Sequence, residues 1–146
     1  MIYASSSLII NSSAAHLWQI IEKFLTEPTQ GNYIKECIVQ TSYYDGFTRS
    51  VTISGESTIK ERVFVLKDQN KIVTRLEDNP LLIGDTIYQI IAPDNSELSE
   101  RKVTLSVVIA WRMRPGIIEA PILNKQALAD DLTSSIKAIA EQGFLT

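Results

Sequence analysis

The sequence predicts an α+β fold in which seven mostly antiparallel strands are combined with two helices. Three observations indicate this. A helical pattern of apolar residues follows the first strand, the stretch from Tyr33 to Arg112 alternates with a period of two between turn signals, and a helical pattern returns near the carboxyl end. The chain has 146 residues, which fits one domain, 1–146, at roughly 150 residues per domain.

The amino-terminal segment predicts a strand followed by an amphipathic helix. Alternate residues from Ile2 to Ile10 are apolar or small, as in a half-buried strand. Asn11-Ser12-Ser13 supplies oxygens that can cap a following helix, predicted from about Ala14 to Leu25. Pro28 ends this helix, because proline disfavours helical backbone in the residue before it. The apolar residues on its buried face are Leu17, Ile20, Ile21, Phe24 and Leu25.

Turn signals divide the central stretch into six predicted strands, near 34–44, 47–54, 57–67, 71–77, 84–92 and 101–112. Asp45-Gly46 predicts a type I′ hairpin, because that turn needs positive φ at both central residues. Further turns are predicted at Ser54-Gly55-Glu56, Asp68-Gln69-Asn70, Asp78-Asn79-Pro80 and Pro93-Asp94-Asn95-Ser96. The face assignment of 84–92 stays open, because Tyr88 with Ile90 and Ile87 with Ile91 are equally apolar alternations.

The carboxyl-terminal segment predicts a long helix after Arg114-Pro115-Gly116. Pro121 suits the first turn, where its missing N–H is not needed. Gly143 is a suitable stop for the helix. The apolar stripe at helical spacing consists of Leu128, Leu132, Ile136 and Ile139.

Composition excludes several classes of function. The formal net charge is −3, and an acidic chain without a basic stripe is a poor nucleic-acid binder. One histidine and one cysteine cannot form a Cys/His zinc site, and no glycine-rich phosphate loop is present, so we expect no metal and no cofactor. The apolar runs are too short to cross a membrane and no basic leader precedes them. We therefore expect a cytoplasmic protein without membrane insertion, as a monomer or homodimer.

Two segments and the order of elements carry a family resemblance. The segments are the opening "IINSSAAHLWQIIEKF" and the closing "SVVIAWRMRP", which a helix follows. Together they resemble the helix-grip fold of START domains, Bet v 1 allergens and bacterial polyketide cyclases, the SRPBCC superfamily. The AtaL-like DUF1857 group is similar in size and layout. The resemblance implies a curved antiparallel sheet that wraps around the long last helix, with a cavity between them.

The register of the predicted hairpins places charged residues on the apolar side of the sheet. With Asp45-Gly46 as a two-residue turn, Ser42 lies opposite Arg49 and Gln40 lies opposite Val51. The next turn places Arg49 opposite Glu61 and Val51 opposite Ile59. Because a buried charge is costly unless it is paired, this register predicts an Arg49–Glu61 ion pair. The functional hypothesis is a polar anchor that meets a carboxylate, phenol or carbonyl of a ligand. The alternative is a structural pair near the sheet edge.

The candidate ligand-binding residues come from this register, from one of the two open faces of 84–92, and from the apolar faces of the last strand and the last helix. The polar anchors are Arg49, Glu61, Gln40, Ser42, Tyr44 and Tyr88. The apolar lining of the cavity is Phe47, Val51, Ile59, Val63, Val107, Ile109, Trp111, Leu128, Leu132 and Ile136. For Trp111, core packing and ligand stacking are both open. Cys37 is placed on the strand face opposite Ile38, where a reactive thiol is an alternative. No Ser, Cys or Asp partner is placed beside His16 by spacing.

Three functions are compatible with such a cavity. The first is binding of a small hydrophobic molecule, a lipid, polyketide or aromatic metabolite, without chemistry. The second is a cyclase or aromatase in which Arg49, Glu61, Tyr44 or Tyr88 moves a proton. The third is a co-chaperone-like interaction module, which would need an apolar outer face. Against the third, the outer face of the middle strand carries Thr48, Ser50, Thr52 and Ser54.

Overall fold

The structure, a computed structural model, describes residues 3–27, 33–53, 57–93, 101–117 and 124–142. The strands are β1 (Ala4–Ile10), β2 (Ile34–Tyr43), β3 (Gly46–Ile53), β4 (Ser57–Leu66), β5 (Lys71–Glu77), β6 (Leu82–Ile91) and β7 (Val103–Met113). The helices are α1 (Ala14–Thr26) and α2 (Lys125–Gln142), and one turn of 3₁₀ helix spans Lys67–Gln69.

The seven strands form one curved antiparallel sheet in the order β1-β7-β6-β5-β4-β3-β2. Sequential strands pair as hairpins from β2 to β7, and β1 joins the far side of β7. The helix α2 lies against β1, β7 and α1. The predicted α+β fold, with seven strands and a long carboxyl-terminal helix, is confirmed.

The helix α1 begins where the sequence predicts. The Ser13 hydroxyl accepts a hydrogen bond from the His16 backbone N–H at 3.1 Å, which satisfies one of the unpaired amides of the first turn. Leu17, Ile21 and Leu25 are each at most 1% exposed, so the predicted apolar face packs in the core. Pro28 lies outside the described residues.

The β2–β3 turn differs from the prediction. Tyr43 pairs with Gly46, so the central residues of the turn are Tyr44 and Asp45 rather than Asp45-Gly46. Neither central residue has positive φ, and the type I′ prediction is wrong. A Cβ on Gly46 would lie 1.9 Å from the Val63 carbonyl oxygen. Glycine is therefore required here by the close approach of β4.

The shifted turn changes the pairing of β2 with β3. Ser42 lies opposite Phe47 instead of Arg49, and the predicted pairing of Gln40 with Val51 is also wrong. Gln40 lies in a β-bulge, where the register shifts between its two neighbours. A bulge reverses the faces of all residues on one side of it relative to a regular alternation.

The register predicted for β3 and β4 is confirmed. Arg49 lies opposite Glu61, and Val51 lies opposite Ile59. Thr48, Ser50 and Thr52 lie half-buried on the outer face, as predicted. The turn Ser54-Gly55-Glu56 lies outside the described residues.

The core lies between the sheet and α2. On α2, Leu128, Leu132 and Ile136 are buried, while Ile139 is half-buried. Pairing with β7 also decides the faces of β6, because Tyr88 lies directly opposite the fully buried Val107 and is itself 2% exposed. The inward residues of β7 are Val103, Leu105, Val107, Ile109 and Trp111. Pro121, Gly143 and residues 94–96 of the predicted turn lie outside the described residues.

Candidate ligand-binding site

A pocket lies on the inner face of the sheet, beneath α2. Its volume is about 20 Å³, taken as the space open to the centre of a water molecule, which is room for about one water. Five residues predicted as apolar lining surround it: Val51, Ile59, Trp111, Leu128 and Leu132. Ile34 and Ile53 complete the apolar wall, and Arg49, Glu61, Thr86 and Tyr88 form the polar wall.

The predicted ion pair is present and buried. Arg49 Nε donates to Glu61 Oε1 at 2.9 Å, and Arg49 Nη2 lies 2.8 Å from the same oxygen. The two residues are 2% and 3% exposed. The Thr74 hydroxyl donates to Glu61 Oε2 at 3.0 Å. Both carboxylate oxygens are therefore hydrogen-bonded, as a buried charge requires.

Arg49 also reaches the first helix. Its Nη1 donates to the backbone carbonyl of Leu25 at 2.7 Å. This carbonyl belongs to the last turn of α1, whose final carbonyls have no partner within the helix and carry partial negative charge. The guanidinium therefore joins the end of α1 to Glu61 on β4.

Burial and charge act in opposite directions on Arg49. Burial lowers the pKa of its guanidinium, but Glu61, Tyr88 and Cys37 raise it by more, so the net shift is upward and Arg49 stays protonated. Burial also raises the pKa of the Tyr88 phenol, an effect that Arg49 only partly offsets. The polar wall therefore presents a fixed cation, its carboxylate and a neutral phenol at neutral pH.

The structure adds Cys37 to this cluster. Cys37 lies opposite Val51 and so shares the inner face with Arg49. Its Sγ donates to the Leu25 carbonyl at 3.4 Å and lies 4.0 Å from Arg49 Nη1. Burial raises the pKa of the thiol, and Arg49 lowers it by less. The alternation of β2 predicted the opposite face, because it did not include the bulge at Gln40.

Trp111 is placed by a close approach of two strands. It lies opposite Gly84, where a Cβ would be 2.1 Å from the Ala110 carbonyl oxygen. Trp111 is 4% exposed, and its indole N–H has no hydrogen-bond partner among the residues that the structure describes. By contrast, the indole N–H of Trp18 donates to Glu22 Oε1 at 2.7 Å.

The remaining predicted site residues do not line the pocket. Gln40, Ser42 and Tyr44 are exposed, and Tyr44 stands at the tip of the β2–β3 turn. The predicted lining residues that pack elsewhere in the core are Phe47, Val63, Val107, Ile109 and Ile136.

No protein-family model and no curated protein matches the sequence. Solved structures match over nearly the whole chain. A START superfamily protein from Mycobacterium smegmatis is 19% identical with a TM-score of 0.73, and 99% of each chain is covered. Norcoclaurine synthase from Thalictrum flavum is 12% identical with a TM-score of 0.68, covering 94% of this chain and 85% of that chain. The Zhui aromatase/cyclase from Streptomyces is 11% identical with a TM-score of 0.67, covering 97% and 89%.

These likenesses, together with the strand order, define the class of fold. It is a helix-grip fold, in which an antiparallel sheet curves around a carboxyl-terminal helix. The chain shares this fold with the START superfamily protein and the aromatase/cyclase, as the resemblance predicts. The similarity to the AtaL-like group stays a prediction. Within the described residues, neither helix has the length and apolar character needed to cross a membrane.

Proposed function

We propose that the protein binds a small hydrophobic molecule between the sheet and α2, with Arg49, Glu61 and Tyr88 at its polar end. One observation carries this proposal. A buried charged pair and a neutral phenol stand on one wall of a pocket whose other walls are apolar. Ligand pockets combine these features, since apolar walls supply affinity and a few polar groups set orientation.

The Arg49–Glu61 pair supports a binding role beyond stability. A buried ion pair can often be replaced by apolar residues without loss of stability, so stability alone does not explain its presence on a pocket wall. A guanidinium has five N–H donors in a planar fork and can donate to a ligand oxygen beside the partners it already holds. A phenol, carbonyl or carboxylate of a ligand fits this position.

The size of the pocket favours a compact ligand. With about 20 Å³ of space, the pocket must widen to admit a molecule larger than water, and Leu128 and Leu132 form its wall on the α2 side. The norcoclaurine synthase structure contains dopamine and hydroxybenzaldehyde, and it shares this fold. Among lipids, polyketides and aromatic metabolites, we therefore favour compact aromatic molecules, with polyketide-derived ones included.

Binding without chemistry is favoured over a cyclase reaction. Both oxygens of Glu61 already accept hydrogen bonds from Arg49 and Thr74, so protein donors already occupy this carboxylate. Tyr88 holds its proton because burial raises the pKa of its phenol. Tyr44 lies at an exposed turn and cannot take part from there.

Native mass spectrometry and a probe titration test the proposal. We expect the purified protein to carry a bound small molecule, or to bind added 2-naphthol. Replacing both charged residues, Arg49→Met with Glu61→Leu, should weaken 2-naphthol binding about tenfold or more, because its oxygen loses a charged partner. The matched control replaces Arg75 and Asp85 in the same way, since this pair joins neighbouring strands in solvent at 2.9 Å.

The control should bind as the wild type does. The proposal fails if the wild type carries no small molecule and binds no 2-naphthol. It also fails if removing the buried pair leaves the affinity of the folded protein unchanged.

A further inference from the structure

The indole N–H of Trp111 is a buried donor without an acceptor. Trp111 lines the pocket and is 4% exposed, and its Nε1 has no partner within the described parts of the chain. Buried polar groups in native proteins are hydrogen-bonded in about nine cases of ten, so each exception needs a physical reason. For a donor at a pocket wall, the physical reason is that a bound ligand supplies the acceptor.

The backbone shows that this position is specifically built. β6 approaches β7 so closely opposite Trp111 that only glycine fits at position 84, where φ is +139°. The close approach holds the indole in the same wall as Thr86 and Tyr88. The other tryptophan, Trp18, has its indole N–H paired with Glu22, so the unpaired state is particular to the pocket.

The neighbouring groups restrict what can pair with this N–H. An indole N–H only donates, so its partner must be an acceptor. Arg49 likewise only donates, and Glu61 accepts from Arg49 and Thr74. Besides the hydroxyls of Thr86 and Tyr88, the pocket therefore offers N–H donors at Arg49 and at Trp111 to an incoming oxygen. A pure hydrocarbon would leave the indole N–H unpaired and desolvated.

We propose that Trp111 determines ligand specificity by donating its indole N–H to a ketone, aldehyde or quinone oxygen on a hydrophobic ligand. This assignment rests on the proposed function, because it requires a ligand in the pocket. It narrows the ligand class to oxygenated molecules, and it distinguishes a carbonyl-bearing aromatic from an unsubstituted aromatic or hydrocarbon chain.

Two probes of equal shape test the assignment: 2-acetylnaphthalene and 2-isopropenylnaphthalene, which differ by C=O against C=CH₂. We expect the wild type to bind the ketone roughly tenfold more tightly, the usual effect of pairing one buried donor. In ¹H–¹⁵N spectra, the Trp111 indole proton should move downfield with the ketone and not with the alkene. The Trp18→Phe variant assigns the two indole signals and should keep the preference.

The Trp111→Phe variant should bind both probes equally. Equal binding by the wild type without the downfield shift would overturn the assignment while leaving the proposed function intact, and so would a preference that persists in Trp111→Phe. Binding of neither probe would overturn the proposed function together with the assignment. The wild-type spectra decide the question even if the Trp111→Phe protein does not fold.

Discussion

Arg49 Nη1 donates a hydrogen bond of 2.7 Å to the main-chain carbonyl of Leu25, so a side chain of the sheet closes the last turn of α1. The same guanidinium holds Glu61 on β4. One residue therefore connects the first helix, two strands and the wall of the pocket. Arg49 therefore contributes both to stability and to the proposed ligand site, so substitutions at this position need separate measurements of stability and of binding.

Removing one partner of the buried Arg49–Glu61 pair should lower the stability of the protein more than removing both partners. Arg49→Met leaves the Glu61 carboxyl without its cationic partner at 3% exposure, which should lower the free energy of unfolding by about 3 to 5 kcal/mol. The double variant Arg49→Met with Glu61→Leu has no buried charge and should be at least about 2 kcal/mol more stable than the single variant. Urea denaturation followed by circular dichroism measures both.

The control for that experiment is the exposed pair on neighbouring strands. Arg75 is more than half exposed, with 58% of its side chain accessible, so Arg75→Met should cost less than about 1 kcal/mol. If the single and double variants at the buried site were equally stable, the claim that Arg49 and Glu61 depend on each other when buried would be contradicted.

Gly84 should tolerate no side chain. A Cβ there would lie 2.1 Å from the Ala110 carbonyl oxygen, and φ is +139°. Gly84→Ala should therefore lower stability by about 2 kcal/mol or more, because strand β6 must move away from β7. Gly116 has φ +88° but no atom within 4 Å of its Cβ position, so Gly116→Ala should cost about 1 kcal/mol. Thermal unfolding compares the two, and equal losses would contradict the steric account.

Glu141 should make the attachment of α2 to β1 sensitive to acid. Burial raises the pKa of its carboxyl, but hydrogen bonds from Lys137 and the Asn11 backbone lower it by more, so the net shift is downward. A carboxyl whose pKa is lower in the folded state stabilises the protein above its ordinary pKa of about 4.5 and loses this effect as the pH falls through the folded value.

Glu141→Gln removes this contribution. Between pH 6 and pH 3, the wild type should lose more of its free energy of unfolding than the variant does, by less than about 1 kcal/mol because the group is partly exposed. Urea titrations at several pH values measure the difference. If the free energies of unfolding of the two proteins changed in parallel with pH, Glu141 would contribute nothing to the pH dependence of stability.

Cys37 should react slowly with alkylating reagents in the folded protein. The thiol is half-buried, it donates to the Leu25 carbonyl, and burial raises its pKa. Since the thiolate is the reactive form, iodoacetamide at pH 8 should modify Cys37 more than about tenfold more slowly than free cysteine. Mass spectrometry follows the reaction, and unfolding in urea should restore the free rate. If Cys37 in the folded protein reacted as fast as free cysteine, the thiol would not be buried beside Arg49 and the Leu25 carbonyl.

The sequence predicts the structure correctly where the alternation of apolar residues is not interrupted by a bulge. Regular alternation on β3 and β4 predicts the Arg49–Glu61 pair, because the two strands contain no bulge and their register follows from one turn. The apolar stripe of α2 likewise predicts which residues face the sheet, since helical period alone decides it.

Prediction failed where a close backbone contact decides the structure. The glycine of Asp45-Gly46 is required by the approach of Val63 rather than by the turn, and the bulge at Gln40 has no signal in the alternation. Regular alternation therefore assigns Cys37 to the wrong face of β2. The unpaired N–H of Trp111 is also invisible to pattern analysis, because it depends on which acceptors tertiary packing brings near the indole.

Isotope-filtered NOE spectroscopy of the protein with 2-naphthol tests most directly whether the ligand lies between the sheet and α2. Our account predicts NOEs from the naphthol ring to the methyl groups of Leu128 and Leu132, which line the pocket on the helix side. It also predicts NOEs to Val51 on the sheet side. NOEs confined to exposed residues such as Ile38, or none at saturating naphthol, would contradict it.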